Sequence, residues 1–245
     1  MTAFLIGIDD TDNQSSPGTG RLARRLSDEC ARRGLRPLGV TRHQFLIDPA
    51  IPYTSHNSGA CIAVESENGL ENPDFVYSFV ARNSADGSDP GVCVAAACDV
   101  PDSIIEFANL ATQQVVTMPE AFNLARRASI SLHGLGGTCQ GVIGALGSVG
   151  LRTSGNNGRF IDLPGLRELR GCVDAAAFDK IGVTVEHRHS GRVPDVNDRY
   201  ETLDWIRPRL IGGQAVLPVQ WSQQKNAWIP LDRKEDVSGG HGPRP

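Results

Sequence analysis

Lysine is nearly missing from this chain of 245 residues, which has 21 arginines but only three lysines, all after residue 179. An anion site in the first half must therefore use arginine, backbone amides or a metal ion. Long apolar runs are missing too, and the run at residues 3–8 is too short for a secretory signal and lacks its basic flank. We therefore expect a cytoplasmic protein with no membrane partner.

Paired cysteines are also missing. The six cysteines form no Cys-x-x-Cys pair, which argues against a zinc ribbon or a disulfide framework. The net charge of −4 argues against strong binding of long nucleic acid, which needs a basic surface. We expect the chain alone to bind bulk tRNA weakly, and nothing in the sequence sets its oligomeric state.

The order of apolar and amphipathic segments predicts an α/β fold. A buried strand at residues 3–8 leads through a polar loop into a helix that Gly34 ends, and strands and helices alternate up to about residue 150. Thr117 and Glu120 have the spacing of a capping box, and Gly212-Gly213 separates the strands of a hairpin. We divide the chain into a larger domain at residues 1–155, a smaller α+β region at 156–231 and a flexible tail at 232–245.

Three carboxylates, Asp9, Asp10 and Asp12, follow the first strand within four residues. Because they repel one another, we expect a divalent cation among them, and Mg²⁺ takes one or two carboxylates together with substrate phosphates. Open α/β sheets bind ligands at the carboxyl ends of their strands, where this turn lies. An extended backbone would let Asp10 and Asp12 share one face, opposite Asp9. We assign all three as metal ligands and catalytic residues; the alternative is an exposed turn that caps the next helix.

Two glycine-containing segments lead into helices, whose free amides attract phosphate. The candidate cofactor-binding residues are Gly18, Thr19, Gly20 and Arg21 in the first segment, and Gly134, Gly136, Gly137, Thr138 and Gly141 in the second. Arg21 or Arg152 would supply the positive charge. The alternatives are a flexible connector for the first segment and tight helix–sheet packing for the second, where residues 141, 144 and 147 put three glycines on one helix face.

The usual nucleotide motifs do not account for these segments. There is no GxxxxGK[ST], and the GxGxxG pattern at residues 134–139 ends in Cys139. Two glycine segments with an acidic turn nevertheless predict a nucleotide site that uses Mg²⁺. The pair His187 and His189 is either a metal pair or, as we favour, a solvated strand end.

Three short motifs, in order along the chain, resemble those of the archaeal tRNA-isoleucine agmatinylcytidine synthetases. They are Gly-Ile-Asp-Asp-Thr-Asp at residues 7–12, Ile-Pro followed by His-Asn-Ser-Gly-Ala at 51–60, and Gly-Val-Ile-Gly-Ala-Leu at 141–146. The resemblance implies a kinase-like first domain that binds ATP and Mg²⁺, followed by a ferredoxin-like region. It also implies that Asp9, Asp10 and Asp12 hold Mg²⁺, that residues 134–141 help to hold ATP, and that Asn57 lines the same cleft.

The chain departs from the family at two points. The family's Gly-Met-Cys-Thr-Thr motif, whose first Thr is catalytic, is replaced by Gly-Thr-Gly-Arg-Leu at residues 18–22, where Thr19 is near but out of register. The family's oligonucleotide-binding and zinc-ribbon modules, which grip tRNA, have no counterpart in this sequence.

We therefore expect an ATP- and Mg²⁺-dependent phosphotransferase or ligase-like enzyme. It would activate an oxygen of a small molecule or nucleotide so that an amine can then displace this oxygen. The alternatives are a non-catalytic nucleotide-binding or regulatory protein, and a tRNA-modifying subunit that uses the RNA-binding domains of a partner.

Overall fold

The computed structural model describes residues 1–51, 56–67, 69–70, 73–188, 192–202 and 205–231. Within these ranges the chain forms a mixed α/β structure with six α-helices and twelve strands of one sheet. The helices are α1 (Thr19–Arg32), α2 (Asp74–Asn83), α3 (Asp102–Leu110), α4 (Met118–Arg127), α5 (Gly141–Ser154) and α6 (Ala175–Asp179). The strands are β1 (Thr2–Asp9), β2 (Arg36–Gln44), β3 (Ser58–Ser66), β4 (Gly91–Ala96), β5 (Ser131–Gly134), β6 (Arg159–Asp162), β7 (Cys172–Val173), β8 (Val183–His187), β9 (Tyr200–Glu201), β10 (Arg209–Ile211), β11 (Gln214–Ser222) and β12 (Ala227–Pro230). None of the described helices is long and apolar enough to cross a membrane.

The sheet is mainly antiparallel, with the order β5-β4-β1-β3-β2-β6-β10-β11-β12-β9-β7 and β8 beside β11. Only β8 with β11 and β9 with β12 pair in parallel among the described strands. The expectation that the acidic turn lies at a common carboxyl edge is therefore wrong. β1 runs antiparallel to both neighbours, so the end of β1 meets the starts of β3 and β4. The segments that precede these two strands are thus brought to the acidic turn.

Helices cover both faces of β1, which explains its continuous apolar run. Leu5 packs in a cluster with residues of α3, α4 and α5, whereas Ile6 and Ile8 pack in a second cluster with residues of α1 and α2. Successive side chains of a strand point to opposite faces, so a strand between two helix layers must be apolar at every position. The same pattern occurs in parallel sheets, so it does not reveal strand direction.

Helix α5 lies unusually close to the sheet. A Cβ atom placed on Gly7 of β1 would lie 2.0 Å from the backbone oxygen of Ala145. For Gly141, Gly144 and Gly147 of α5, the nearest atom to such a Cβ would lie 2.4, 1.7 and 2.7 Å away. The prediction that these three glycines allow a close approach is confirmed.

The ends of α1 and α4 follow the sequence signals. Gly34 has φ of +84° after α1, and its N–H donates to the oxygen of Ala31 at 3.0 Å, while the N–H of Leu35 donates to the oxygen of Cys30 at 3.1 Å. This pair of bonds is a Schellman motif. At the start of α4, Thr117 and Glu120 form both bonds of the capping box.

The later strands continue the same sheet. β6 pairs with β2 and with β10, and β10 forms the expected hairpin with β11 across Gly212-Gly213. A separate apolar cluster there includes Phe160, Phe178 and Trp228. The division near residue 155 and the ferredoxin-like character of the second region stay predictions, and the expected tail at 232–245 lies outside the described residues.

Candidate functional site

A cleft opens where β1 ends, and segments distant in sequence line it. Its polar lining comprises Asp9, Asp10 and Asp12, then His56, Asn57 and Ser58 before and at the start of β3, and Gln114, Gln140, Gly141 and Gly144, the last two in α5. Its apolar lining comprises Phe45, Ala50, Ile51, Ala111, Val115, Val116 and Ile143. Five of the residues proposed from sequence, the three aspartates with Asn57 and Gly141, therefore share one cleft.

The backbone of the acidic turn is not extended. Asp10 has φ of 51°, in the left-handed region, where a non-glycine residue is uncommon. The expectation that Asp9 and Asp10 point to opposite faces is therefore wrong, and all three carboxylates line the cleft. Asp9 points toward α5, because a Cβ on Gly144 would lie 1.7 Å from its Oδ2. Glycine is needed at position 144 to leave room for this carboxylate.

Burial and neighbouring carboxylates raise the proton affinity of Asp9 and of Asp10. Burial raises the pKa of Asp9 to about 7, and the charges of Asp10 and Asp12 add to the shift. Burial, then the charges of Asp89 and Asp12, raise the pKa of Asp10 to about 6. No Lys or Arg is among the described residues that line the cleft, so the lining itself does not neutralise these charges. A site of this kind favours a bound cation.

Thr19 ties the start of α1 to the acidic turn. Its Oγ1 donates to Oδ1 of Asp12 at 2.9 Å and accepts from the hydroxyl of Thr11 at 3.0 Å and from the N–H of Thr11 at 3.3 Å. Gly18 is the N-cap, so no side-chain capping bond forms at this helix start. The carboxylate of Asp12 therefore lies beside this helix start, held by its bond from Thr19.

Asp89 holds the second glycine segment in the same way. Its carboxylate accepts from the N–H of Thr138 at 2.6 Å and from the Thr138 hydroxyl, and a Cβ on Gly137 would lie 1.5 Å from its Oδ1. Its backbone oxygen accepts from the N–H of Gly141 at 3.0 Å. Sequence reasoning missed Asp89, because a single aspartate before a strand carries no signal. Glycine at 137 is needed for this contact.

The other candidates lie apart from the cleft lining. Arg21 lines a different depression with Ser16 and Arg25, and Arg152 packs its guanidinium over Phe160 at 4.7 Å. Neither arginine is among the described residues that line the cleft, and the source of positive charge stays a prediction. Among the remaining candidates, Gly20 faces Ile161, Gly134 faces Cys139, and Gly136 faces Pro90.

His187 contacts two aromatic residues. Its Nε2 lies 2.9 Å from the hydroxyl of Tyr200, and its ring packs 4.5 Å from that of Trp228. His189 lies outside the described residues, so the favoured solvated strand end stays a prediction.

No ready-made metal cage exists in the part of the chain that the structure describes. There, no three or more His, Cys, Asp or Glu side chains are arranged so that they could hold a metal ion. The donors nevertheless suit Mg²⁺, which needs only one or two carboxylates when water and phosphate oxygens complete its shell. The three aspartates of the turn supply oxygens of this kind in a partly buried site. Burial and the charges of nearby aspartates raise the pKa of Asp9 and the pKa of Asp10.

Part of this chain is similar to several solved structures. The chain is 28% identical, with a TM-score of 0.53, to a complex of TiaS with an isoleucine tRNA and ATP; the match covers 61% of this chain and 36% of TiaS. It is 29% identical to a tRNA fluorescent labelling enzyme, with a TM-score of 0.51 and coverage of 60% and 36%. A complex of TiaS with the same tRNA, AMPCPP and agmatine is 26% identical, with a TM-score of 0.52 and coverage of 61% and 36%.

Each match covers only part of this chain and part of the neighbour. The chain spans about a third of the length of these neighbours, and TiaS is described as an agmatidine synthetase that acts on an isoleucine tRNA. No protein-family model and no curated protein matches the chain. The expected resemblance to a part of these synthetases is therefore confirmed at the level of structure, over about 60% of the chain.

Proposed function

We propose that this protein is an ATP- and Mg²⁺-dependent phosphoryl-transfer enzyme whose site is the acidic cleft. The observation that carries the proposal is the grouping of three carboxylates, two with raised pKa values, with Asn57 and the start of α5. The neighbours solved with ATP and with AMPCPP support a nucleotide as the ligand. An acidic cleft attracts a phosphate group only when a cation accompanies it.

In this proposal Asp10, with Asp9 or Asp12, holds Mg²⁺. When bound, the ion would neutralise charge on the phosphates of ATP. The chain's part is to hold the carboxylates in place. The hydroxyl of Thr19 fixes Asp12. Asn57 is fixed by donating its side-chain N–H to the oxygen of Leu46 at 2.6 Å.

The reaction would be displacement at the γ-phosphorus. An oxygen of the acceptor forms a bond to this phosphorus, the bond from the phosphorus to the bridging oxygen of the β-phosphate breaks, and ADP leaves with the electron pair. A carbonyl-type acceptor oxygen carries no proton, so its phosphorylation needs no base. In the second step an amine nitrogen would form a bond to the carbon that carries this oxygen, the carbon–oxygen bond would break, and inorganic phosphate would leave with the electron pair. Positioning and charge neutralisation supply the rate enhancement in such transfers.

A second candidate is a tRNA-modifying subunit, because two of the neighbours are complexes with tRNA. It shares the ATP step and differs in the acceptor. Transfer of phosphate to an oligonucleotide only when a separate RNA-binding protein is present would favour it. Nucleotide binding without any product would favour the non-catalytic alternative.

The experiment is a thermal-unfolding titration with ATP, ADP and GTP, each with and without Mg²⁺. Ligand at 100 times its dissociation constant stabilises a fold by roughly 2.7 kcal/mol. Release of ADP, AMP and pyrophosphate is then measured with candidate acceptors. Stabilisation that needs Mg²⁺ is the expected result. No response at millimolar nucleotide would contradict the proposal, and release of AMP with pyrophosphate would contradict transfer of the γ-phosphoryl group.

A further inference from the structure

A second depression, which we call the arginine groove, adjoins the acidic cleft. It has a volume of about 930 Å³. The lining residues that carry the argument are Arg42, His56, Arg159, Trp205, Arg207 and Arg209. Four of these described residues are arginines. Small-molecule sites are commonly about 300–1,000 Å³, so the groove has the size of a ligand site.

The four arginines come from distant parts of the sequence. Arg42 is in β2, Arg159 is in β6, Arg207 precedes β10 and Arg209 begins it. Antiparallel pairing brings them together, because Arg42 is opposite Arg159 and Arg159 is opposite Arg209. The sheet itself therefore concentrates positive charge at this place, in a chain whose net charge is −4.

Arg207 is held by an aromatic neighbour. Its guanidinium lies 3.7 Å from the centre of the Trp205 ring, in a cation–π contact. Burial, followed by the charges of Arg42, Arg159, Arg167 and Arg24, lowers the pKa of Arg207. Several guanidinium groups close together attract an anion such as a phosphate group.

The groove and the cleft meet at a shared lining residue. His56 lines both depressions. Arg42 of the groove donates its Nε–H to the hydroxyl of Ser58 at 2.9 Å, and Ser58 lines the cleft. Arg42 also lies within electrostatic range of Asp12. A molecule in the groove can thus reach toward the carboxylates without a change of fold.

We propose that the arginine groove binds the phosphate group of the acceptor, a small phosphorylated molecule whose reacting oxygen enters the cleft past His56. One guanidinium group can bind two oxygens of a phosphate group at once. The described residues that line the cleft include no Lys or Arg. A small ligand fits better than a nucleic acid, because the four arginines lie in one bounded depression and the chain as a whole is acidic. The inference rests on the proposed function, since it names the substrate class of that same site.

The test is calorimetric binding of ribose 5-phosphate, inorganic phosphate and ribose to the full chain in EDTA, without nucleotide. We expect both phosphates to bind and ribose to bind at least tenfold more weakly. Arg207→Gln should weaken phosphate binding at least tenfold, and Arg207→Lys should weaken it less. The matched control is Arg126→Gln, at an exposed arginine of α4, which should bind as the unchanged chain does.

The experiments distinguish failure of the groove proposal from failure of the proposed function. Thermal unfolding shows whether each variant is folded, and we expect Arg207→Gln to stay folded, because the loss of the Trp205 contact and the loss of charge repulsion oppose each other. Asp10→Asn should keep phosphate binding in EDTA, so loss of ATP–Mg²⁺ binding and loss of groove binding are different results. The proposal is overturned if neither phosphate binds at millimolar concentration, or if Arg207→Gln has no effect. Tight Arg207-dependent binding of a single-stranded RNA 20-mer, with weak binding of the small phosphates, would also overturn it.

Discussion

At the scale of single residues, Asp10 is the decisive position of the acidic cleft. Its carboxyl group is partly buried among Asp9, Asp12 and Asp89, and its backbone is held in the left-handed region. Asp10→Asn keeps the side-chain shape, and asparagine tolerates this backbone conformation. We expect the variant to lose Mg²⁺-dependent nucleotide binding, as measured by calorimetry.

Without metal, Asp10→Asn should be at least as stable as the unchanged chain, because one of several repelling charges has gone. Chemical unfolding in EDTA measures this. Glu106→Gln, at an exposed position of α3, is the control for loss of one negative charge. A turn that only caps a helix would instead lose about 1 kcal/mol and bind nucleotide normally, which would contradict the site assignment.

His43 gives a prediction about pH. It is fully buried, with Nε2 2.8 Å from the hydroxyl of Thr41 and Nδ1 3.2 Å from Oδ1 of Asn157. Burial, with a smaller effect of Arg152, lowers its pKa from 6.5 to about 3. The folded state therefore binds this proton less tightly than the unfolded state. The contribution of His43 to stability is complete above pH 6.5 and is lost as the pH falls toward 3.

We expect the free energy of unfolding to fall by roughly 1.4 kcal/mol per pH unit below pH 6 through this one group. Comparing His43→Gln with the unchanged chain isolates the effect, since other titrating groups act in both. The variant should show a shallower decline between pH 6 and pH 4.5. His133→Gln, at an exposed histidine, should keep the original slope. Parallel curves for His43→Gln would contradict the prediction.

At the scale of elements, the contact of β1 with α5 positions the cleft. Gly7→Ala would put a Cβ 2.0 Å from the backbone oxygen of Ala145 and 3.0 Å from Cγ2 of Val149. Backbone cannot move aside as a flexible side chain can, so the helix must shift. We expect a loss of about 2 kcal/mol or more in unfolding experiments. Thr2→Ala, exposed in the same strand, should change stability far less. Equal effects of the two would show that the packing is looser.

The elements themselves could be predicted well from sequence, but their mutual arrangement could not. Gly34 and the pair Thr117 and Glu120 act within a few residues, so their signals are local and were confirmed. Strand direction is set by how distant strands pair. The apolar run of β1 indicates only that both faces of the strand are covered. A strand can be covered on both faces in a parallel sheet and in an antiparallel sheet.

At the scale of the whole molecule, charge is unevenly distributed. The acidic cleft and the arginine groove adjoin each other, although the net charge is only −4. We predict that bulk tRNA binds with a dissociation constant weaker than about 1 µM at physiological salt, as is usual for non-specific contacts. Filter retention with the isolated chain measures this. Submicromolar binding would contradict the prediction and favour the tRNA-modifying alternative.

The site was predictable only where its residues are neighbours in sequence. The three aspartates of the turn formed a visible cluster, and the resemblance supplied Asn57. Asp89 and the arginine groove could not be found in this way. Asp89 meets Thr138 across 49 positions, and the groove assembles arginines from position 42 to position 209. Such groups meet only through strand pairing, which the local sequence does not specify.

The glycines of α5 also limit how this cleft can change over evolution. Gly141 and Gly144 of α5 line the cleft at positions where almost any larger residue would collide with Asp89 or Asp9. Substitution is easier at Val115, which is exposed, and at Val116, which is half-buried. Relatives that act on different acceptors should therefore share the two glycines and differ at these two positions.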